Sequence, residues 1–416
     1  MSRRLMINRR KALQGLAAVA TAGSVRGAAA ASSEPIVIGL QTELTGALAH
    51  DSGWGKKAAE AAVAWQNERG GFAGRPLKLV VVDTETKVDV GIRRLQQLLQ
   101  QENCDFIIGS GHGGIGMASV PLCRDAKVTY LPLARTDGIT TELGNPYSVR
   151  IVANSTMGAS AASKWMVDSL GKRWGMVLAD YAFGYSQREA FTASLAKAGG
   201  ELAQAIALPV NTNDPLPYLL KLDRSLSGIV MAILGPDSVR VYPALRSLGF
   251  GKTPKITVSC TQNLFDIVRL GTAVEGVYAL DEVPWELDDY PNPAFSKTAF
   301  DRIGIGSNGR AKDGDDYVML PNAIMAWECT ELLRMAVEGA RWKTKADNLS
   351  LSNWLVSNPD FALSEGFPQG GFSIRAADQQ AFIDQYILQI QGGRMKRVSK
   401  VAGATTVYPS KDLVQR

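Results

Sequence analysis

The chain has 416 residues, with 45 basic and 40 acidic side chains, two histidines, four cysteines and 46% hydrophobic residues. That length exceeds one ordinary core, so two domains are expected, and the composition is that of a globular protein rather than a disordered or fibrous one. Six of the basic residues and none of the acidic ones fall within residues 1–31, which leaves 39 basic against 40 acidic; that balance offers no footprint for a polyanion and argues against nucleic acid as a partner.

Residues 1–31 set the expected compartment. Arg3, Arg4, Arg9, Arg10 and Lys11 precede a weakly apolar stretch from Ala12 to about Val25, and Ala28, Ala29, Ala30 and Ala31 supply small residues for cleavage. This is the layout of a secretory signal peptide. It is too short and too rich in Ala, Gly and Thr to serve as a membrane anchor. Arg9-Arg10 with Leu13 fits a twin-arginine route to the periplasm, although Ala12 stands where an aromatic is usual. No later stretch is long and apolar enough to cross a bilayer.

From residue 35 onward the chain alternates short apolar strands with helical periodicity. Strands are expected at 35–40, 79–83, 106–108 and 128–131. Helices are expected at 55–69, where Ala58, Ala61, Ala62 and Trp65 share a face, and after residue 88, where Val88, Ile92, Leu95 and Leu99 recur. Gly70-Gly71 ends the first helix. The rhythm restarts near residue 155, with helices at 156–170, 186–198, 215–224 and 237–248. Strands at 175–178, 203–208, 228–233 and 255–259 alternate with them. Helices at 317–339 and 347–356 follow, then a β-like end at 371–374 and 382–390. Such alternation predicts parallel sheets covered on both faces.

The segment Gly109-Ser110-Gly111-His112-Gly113-Gly114 joins the third strand to a helix at the carboxyl edge of the sheet, where such sheets bind ligands. Its glycines bring backbone N–H groups close to a ligand, and the helix start suits a carboxylate or phosphate. A tight turn needing glycine for its dihedrals is the plainer reading. Gly109, Gly111 and Gly114 also spell G-x-G-x-x-G, but after the third strand rather than the first. Catalytic constellations are otherwise thin, and no catalytic residue or cofactor is assigned. Asp281, Glu282, Glu286, Asp288 and Asp289 form an acidic run that reads as a solvated loop or as a cleft wall. Cys104 and Cys123 flank the third strand and the helix after it, and an oxidising compartment permits a disulfide between them. The alternative is buried free thiols. No Cys/His spacing suits a metal.

The stretches IVIGLQTELTG (36–46), AAVAWQNERGGFAGRPLKLVVVDTET (61–86), DYAFGYS (180–186) and GFSIRAADQQ (371–380) resemble the type I periplasmic binding proteins of the leucine/isoleucine/valine-binding group. The resemblance implies an α/β fold of two doubly wound Rossmann-like lobes joined by a three-strand hinge. Lobe 1 would hold 34–152 and 284–373; lobe 2 would hold 153–283 and 374–416. It implies a small-molecule ligand trapped between closing lobes and passed to an ABC transporter permease in the inner membrane. By position, the ligand contacts fall on Ser110, Gly113 and Gly114, on the Ala134 carbonyl and the Thr136 hydroxyl, and on the aromatics Tyr181 and Phe183. Leu234, Gly235, Asp237 and Cys260 complete the set. Gly113 stands where the family usually has serine. Ser259-Cys260-Thr261-Gln262 lacks the acid that pairs with an amino-acid ammonium, so Asp237, Asp281 or Glu282 replaces it, or the ligand is an amide or aromatic acid. Arg135 either supplies a second charge for a diacid or faces solvent. An amide-sensing regulator and a secreted dinucleotide-dependent oxidoreductase are the competing expectations.

Overall fold

A computed structural model describes residues 34–410 apart from 234, 253–254, 259–266 and 319. The expected signal peptide (1–31), Leu234 and Cys260 lie outside the described residues.

The first lobe begins β1 (Ile36–Thr42), α1 (Ala49–Glu68), β2 (Leu77–Asp83), α2 (Val88–Gln96), β3 (Phe106–Gly109), α3 (Gly113–Asp125) and β4 (Thr129–Leu131). The strands run parallel in the order β2-β1-β3-β4. The Ile and Leu side chains of β1, β3 and β4 are buried because helices cover both faces, while the edge strand β2 leaves Leu79, Val80 and Val81 partly exposed. The second lobe carries α4 (Ser155–Ser169), β5 (Arg173–Ala179), α5 (Ala182–Lys197), β6 (Glu201–Leu208), a single turn α6 (Leu216–Leu219), β7 (Gly228–Ala232), α7 (Gly235–Ser247), β8 (Lys255–Val258), α8 (Ile267–Leu270) and β9 (Tyr278–Asp281). The chain then supplies α9 (Pro293–Ile303), α10 (Leu320–Gly339), α11 (Asn348–Ser357) and an antiparallel sheet of β10 (Asp360–Phe361), β11 (Phe372–Arg375) and β12 (Gln380–Phe382). Helix α10 lies against α1, with Trp327 stacked on Trp65 at 4.7 Å. Finally β13 (Gln385–Gln391) and β14 (Arg394–Val401) add antiparallel strands to the second sheet, whose order is β14-β13-β9-β8-β7-β5-β6.

Both sheets therefore reverse their winding between the first strand and the third: between β1 and β3, and between β5 and β7. The crevice at the carboxyl ends of such a pair is where open α/β sheets take ligands. The two switch points face one another across the cleft between the lobes, where Leu48 packs on Ala179 and Tyr181.

Three chain passages join the lobes, near 149–154, 281–285 and 375–385, and buried polar side chains tie them together. Arg150 is fully buried and its guanidinium donates to Gln380 Oε1 (2.7 Å), Ala134 O (3.1 Å), Thr136 O (2.7 Å) and Thr140 Oγ1. Gln380 Nε2 donates to Val152 O at 2.9 Å. Glu282 accepts both arms of Arg135 and the N–H of Ala153 at 3.0 Å. The acidic run is thus neither a solvated loop nor a free cleft wall at its start. Asp281 and Glu282 are 1% exposed, and Asp281 also accepts Trp285 Nε1 at 2.9 Å.

Three further expectations change. The helix at 215–224 contracts to α6, because Pro215 and Pro217 lack N–H donors and Asp223 turns away to bond Arg173 and the Ser225 N–H. The strand at 382–390 is two strands, β12 and β13, which belong to different sheets. Cys104 and Cys123 are buried free thiols, not a disulfide. Cys104 lies under β1, its Sγ 3.1 Å from where a Cβ on Gly39 would stand, whereas Cys123 neighbours Tyr130 of β4. One strand, β3, separates those two, so the sulfurs sit over different strands. Burial pushes the Cys104 thiol up to about 12.

Gly109 ends β3 at φ +126°, and a Cβ there would lie 1.9 Å from Gln41 O. Gly109→Ala is expected to destabilise the protein by at least ~2 kcal/mol through backbone strain at an immovable neighbour. Denaturant unfolding of the variant against the parent measures it; an unchanged midpoint would contradict the packing described.

Candidate functional site

The loop 110–112 is held from beneath by side chains of the first lobe. Ser110 N–H donates to Tyr130 OH at 3.0 Å, and Ser110 Oγ donates to the buried carboxyl of Glu43. Glu43 also accepts Ser52 Oγ (2.8 Å) and Gly111 N–H (3.3 Å). Burial holds the Glu43 carboxyl above its usual range despite these donors. Ser110 therefore braces the loop; its hydroxyl faces the lobe interior.

His112 caps α3: its Nδ1 accepts the Ile115 N–H at 3.3 Å. Gly113 and Gly114 are the first two residues of that helix, so their N–H groups have no intrahelical acceptor. Among the described residues neither donates to any protein group. Facing them is Thr136, just beyond β4. A Cβ on Gly113 would lie 2.2 Å from Thr136 Oγ1 and 3.9 Å from Phe183 Cβ. Gly113 thus permits an approach that serine would block. Thr136 Oγ1 is buried and has no partner among the described residues. Two backbone donors and one hydroxyl thus lie near one another, close to the Cβ of Phe183 at the start of α5.

The second lobe closes this corner. Tyr181 stacks on His112, centroids 5.2 Å apart with planes at 23°, and lies 6.0 Å from Phe183. Asp137 accepts Thr156 N–H (3.1 Å), Thr156 Oγ1 (2.9 Å) and Ser186 Oγ (3.3 Å) from α4 and α5. A cleft of about 550 Å³ opens at the mouth, bordered by Thr86, Val88, His112, Tyr181 and Asn211.

The remaining expected contacts divide. The Ala134 carbonyl accepts Arg150 Nη1 at 3.1 Å, so part of its accepting capacity goes to the hinge. Gly235 opens α7. Asp237 accepts the Asn211 N–H at 3.0 Å and Arg240 at 2.8 Å, within its own lobe. Arg135 faces neither ligand nor solvent, being buried against Glu282 and 3.7 Å from Asp281. Every carboxylate named above, Glu43, Asp137, Asp237, Asp281 and Glu282, is already engaged by protein donors. Glu43, His112 as a cap, Arg150 and Gln380 escaped the sequence reading, because nothing in local spacing separates a buried hydrogen-bonded polar residue from an exposed one.

Residues 35–394 match the family model described as periplasmic binding protein. A curated relative, Leu/Ile/Val-binding protein homolog 6 of Brucella melitensis, is 27% identical over 215 residues, covering 50% of this chain and 54% of that protein. The chain spans about half the length of the curated relatives it matches. A solute-binding protein of an ABC transporter from R. palustris, solved with benzoate, superposes with a TM-score of 0.75 at 20% identity, covering 89% of this chain and 97% of that one. The branched-chain amino acid transporter substrate binding protein LivJ of Streptococcus pneumoniae, solved with isoleucine, gives a TM-score of 0.72 at 18% identity over 89% and 99% of the two chains. At these identities the likeness to the solved structures establishes the fold. Among the described residues no helix is long and apolar enough to cross a membrane.

Two substitutions separate support from binding. Glu282→Ala removes the carboxylate that accepts both arms of buried Arg135, and is expected to cost about 3–5 kcal/mol of stability. Thr136→Val removes a hydroxyl that the fold does not use, and is expected to leave stability within about 0.5 kcal/mol. Thermal and denaturant unfolding of both variants distinguish the roles; equal losses would refute the assignment.

Proposed function

This chain belongs to the periplasmic binding protein family, and on that premise we propose that it is the extracytoplasmic solute receptor of an ABC transporter, selective for a small carboxylate without an ammonium group. The observation that carries the reading is the imbalance of the site. Donors for an anion are in place at Gly113, Gly114 and Thr136, while each nearby acid among the described residues is already committed. A ligand ammonium would enter without a charge partner, at a desolvation cost of several kcal/mol. Phe183 and Tyr181, 6.0 Å apart with planes tilted by 36°, place aromatic side chains next to these donors, a setting that favours an aromatic acid. The R. palustris neighbour solved with benzoate is consistent with this class, and the LivJ neighbour solved with isoleucine marks the alternative.

In this reading residues 1–31 direct export to the periplasm, and the partner is a permease in the inner membrane. Binding shifts a pre-existing open–closed equilibrium of the lobes further toward the closed form, and the closed form is what the permease engages; no bond is made or broken. An amide-sensing regulator would share the fold but would not need an export segment. A dinucleotide enzyme would need the N–H groups of the glycine loop for a pyrophosphate, yet those of residues 110, 111 and 115 are spent on Tyr130, Glu43 and His112.

A thermal-shift screen tests the proposal. A ligand at about 100 times its Kd stabilises the folded state by ~2.7 kcal/mol. Benzoate and related acids are expected to raise the melting temperature, and leucine is not. A shift with leucine alone would replace the aromatic-acid reading with an amino-acid one; a shift with a dinucleotide alone would refute the receptor. Thr136→Val is expected to weaken binding of the active acid roughly tenfold, by loss of one hydrogen bond to a charged group.

A further inference from the structure

We infer that His112 is a positioning residue for solute capture, one that holds the two lobes together over the cleft only while its imidazole is neutral. The inference rests on the receptor reading and on two contacts that meet in one ring. The first is the cap: Nδ1 accepts the Ile115 N–H, which a ring nitrogen does only when unprotonated. That bond places the remaining proton on Nε2. The second is the stack. The face of the ring lies on Tyr181, which belongs to the opposite lobe. Separating the lobes uncovers the imidazole, and closing them half-buries it at the positive end of α3.

Protonation therefore opposes closure in two ways. It breaks the cap, and it places a cation in a partly desolvated position beside a helix start. Burial pulls the His112 imidazole down to about 4 in the closed arrangement. An exposed imidazole titrates near ~6.5. The groups that face the ring or its loop do not reverse this. Glu85 and Lys87, from the turn before α2, sit at the cleft mouth and pair with one another at 3.0 Å. Glu43 lies beneath the loop and accepts the Gly111 N–H. Tyr181 presents its ring, and Val210 and Asn211 add no charge.

The sign follows. A base whose pKa is depressed in the closed form favours closure above its open-state value. Solute affinity is full above pH ~6.5, and falls as pH drops below it, by at most tenfold per unit, until the closed-state value is reached. Between pH 7.5 and 5.0 a loss of roughly ten- to thirtyfold is expected.

Benzoate binding by the purified protein is measured at pH 7.5 and 5.0, together with the radius of gyration by small-angle scattering without ligand. Two variants dissect the ring: His112→Asn keeps a capping oxygen but neither stacks nor titrates, and His112→Phe stacks but cannot cap. The expected result is weaker binding and an expanded particle at pH 5.0 in the parent, and a flat pH profile in both variants. A merely structural histidine would leave the pH dependence in place in His112→Asn, and that result, or a flat parent profile, overturns the inference. If benzoate binds at neither pH, the aromatic-acid reading fails, while scattering still judges His112. Acid expansion in the parent that His112→Asn lacks supports the inference, and equal behaviour of the two sinks it.

Discussion

The arrangement depends on two arginines buried where the lobes join. Arg150 meets four oxygens, none of them a carboxylate, and two of these are the carbonyls of Ala134 and Thr136. Arg135, between those residues, is clasped by Glu282 of the second passage. A buried guanidinium tolerates desolvation only when its donors are used, so the geometry of its acceptors is tightly set. The segment 134–136 is therefore fixed from both sides, and Thr136 is presented to Gly113 without help from a ligand. Such preorganisation reduces the ordering cost of binding.

The chemistry of the corner is mostly backbone chemistry. Two N–H groups at the start of a 13-residue helix are suited to negative charge because the helix cannot satisfy them itself. Glycine at 113 matters less for its dihedral freedom than for its missing Cβ, which would collide with Thr136. Among the described residues the corner holds no uncommitted carboxylate, and in the proposed reading selectivity would come from that absence as much as from the donors.

Among the described residues, closure across the cleft uses few contacts, and they differ in kind. Near the hinge, Asp137 reaches the starts of α4 and α5 through hydrogen bonds. At the mouth, the contact is the His112–Tyr181 stack with Leu48 on Ala179 beside it. Burial raises the Asp137 carboxyl and lowers the His112 imidazole, so both neutral forms are favoured by the closed arrangement. The hinge-side contact is hydrogen-bonded and the mouth-side contact is apolar and aromatic, which leaves the mouth the easier end to part.

The sequence by itself determined the alternation of strands and helices, the two sheets and the glycine loop at a switch point, because period and glycine placement are local properties of the chain. It also led to the corner formed by Gly113, Thr136 and Phe183, through position in a family pattern. Only the tertiary structure decided that Ser110 turns inward to Glu43, that Arg135 belongs to the hinge, that Asp237, Asp281 and Glu282 are spent, and that Cys104 and Cys123 lie over different strands. The reason is the same in each case. A polar side chain is defined by its partners, and for each of these at least one lies tens to hundreds of residues away, as with Arg150 and Gln380, 230 apart, or Arg135 and Glu282, 147 apart. No local period records such a pairing; it exists only once the lobes have folded and been joined.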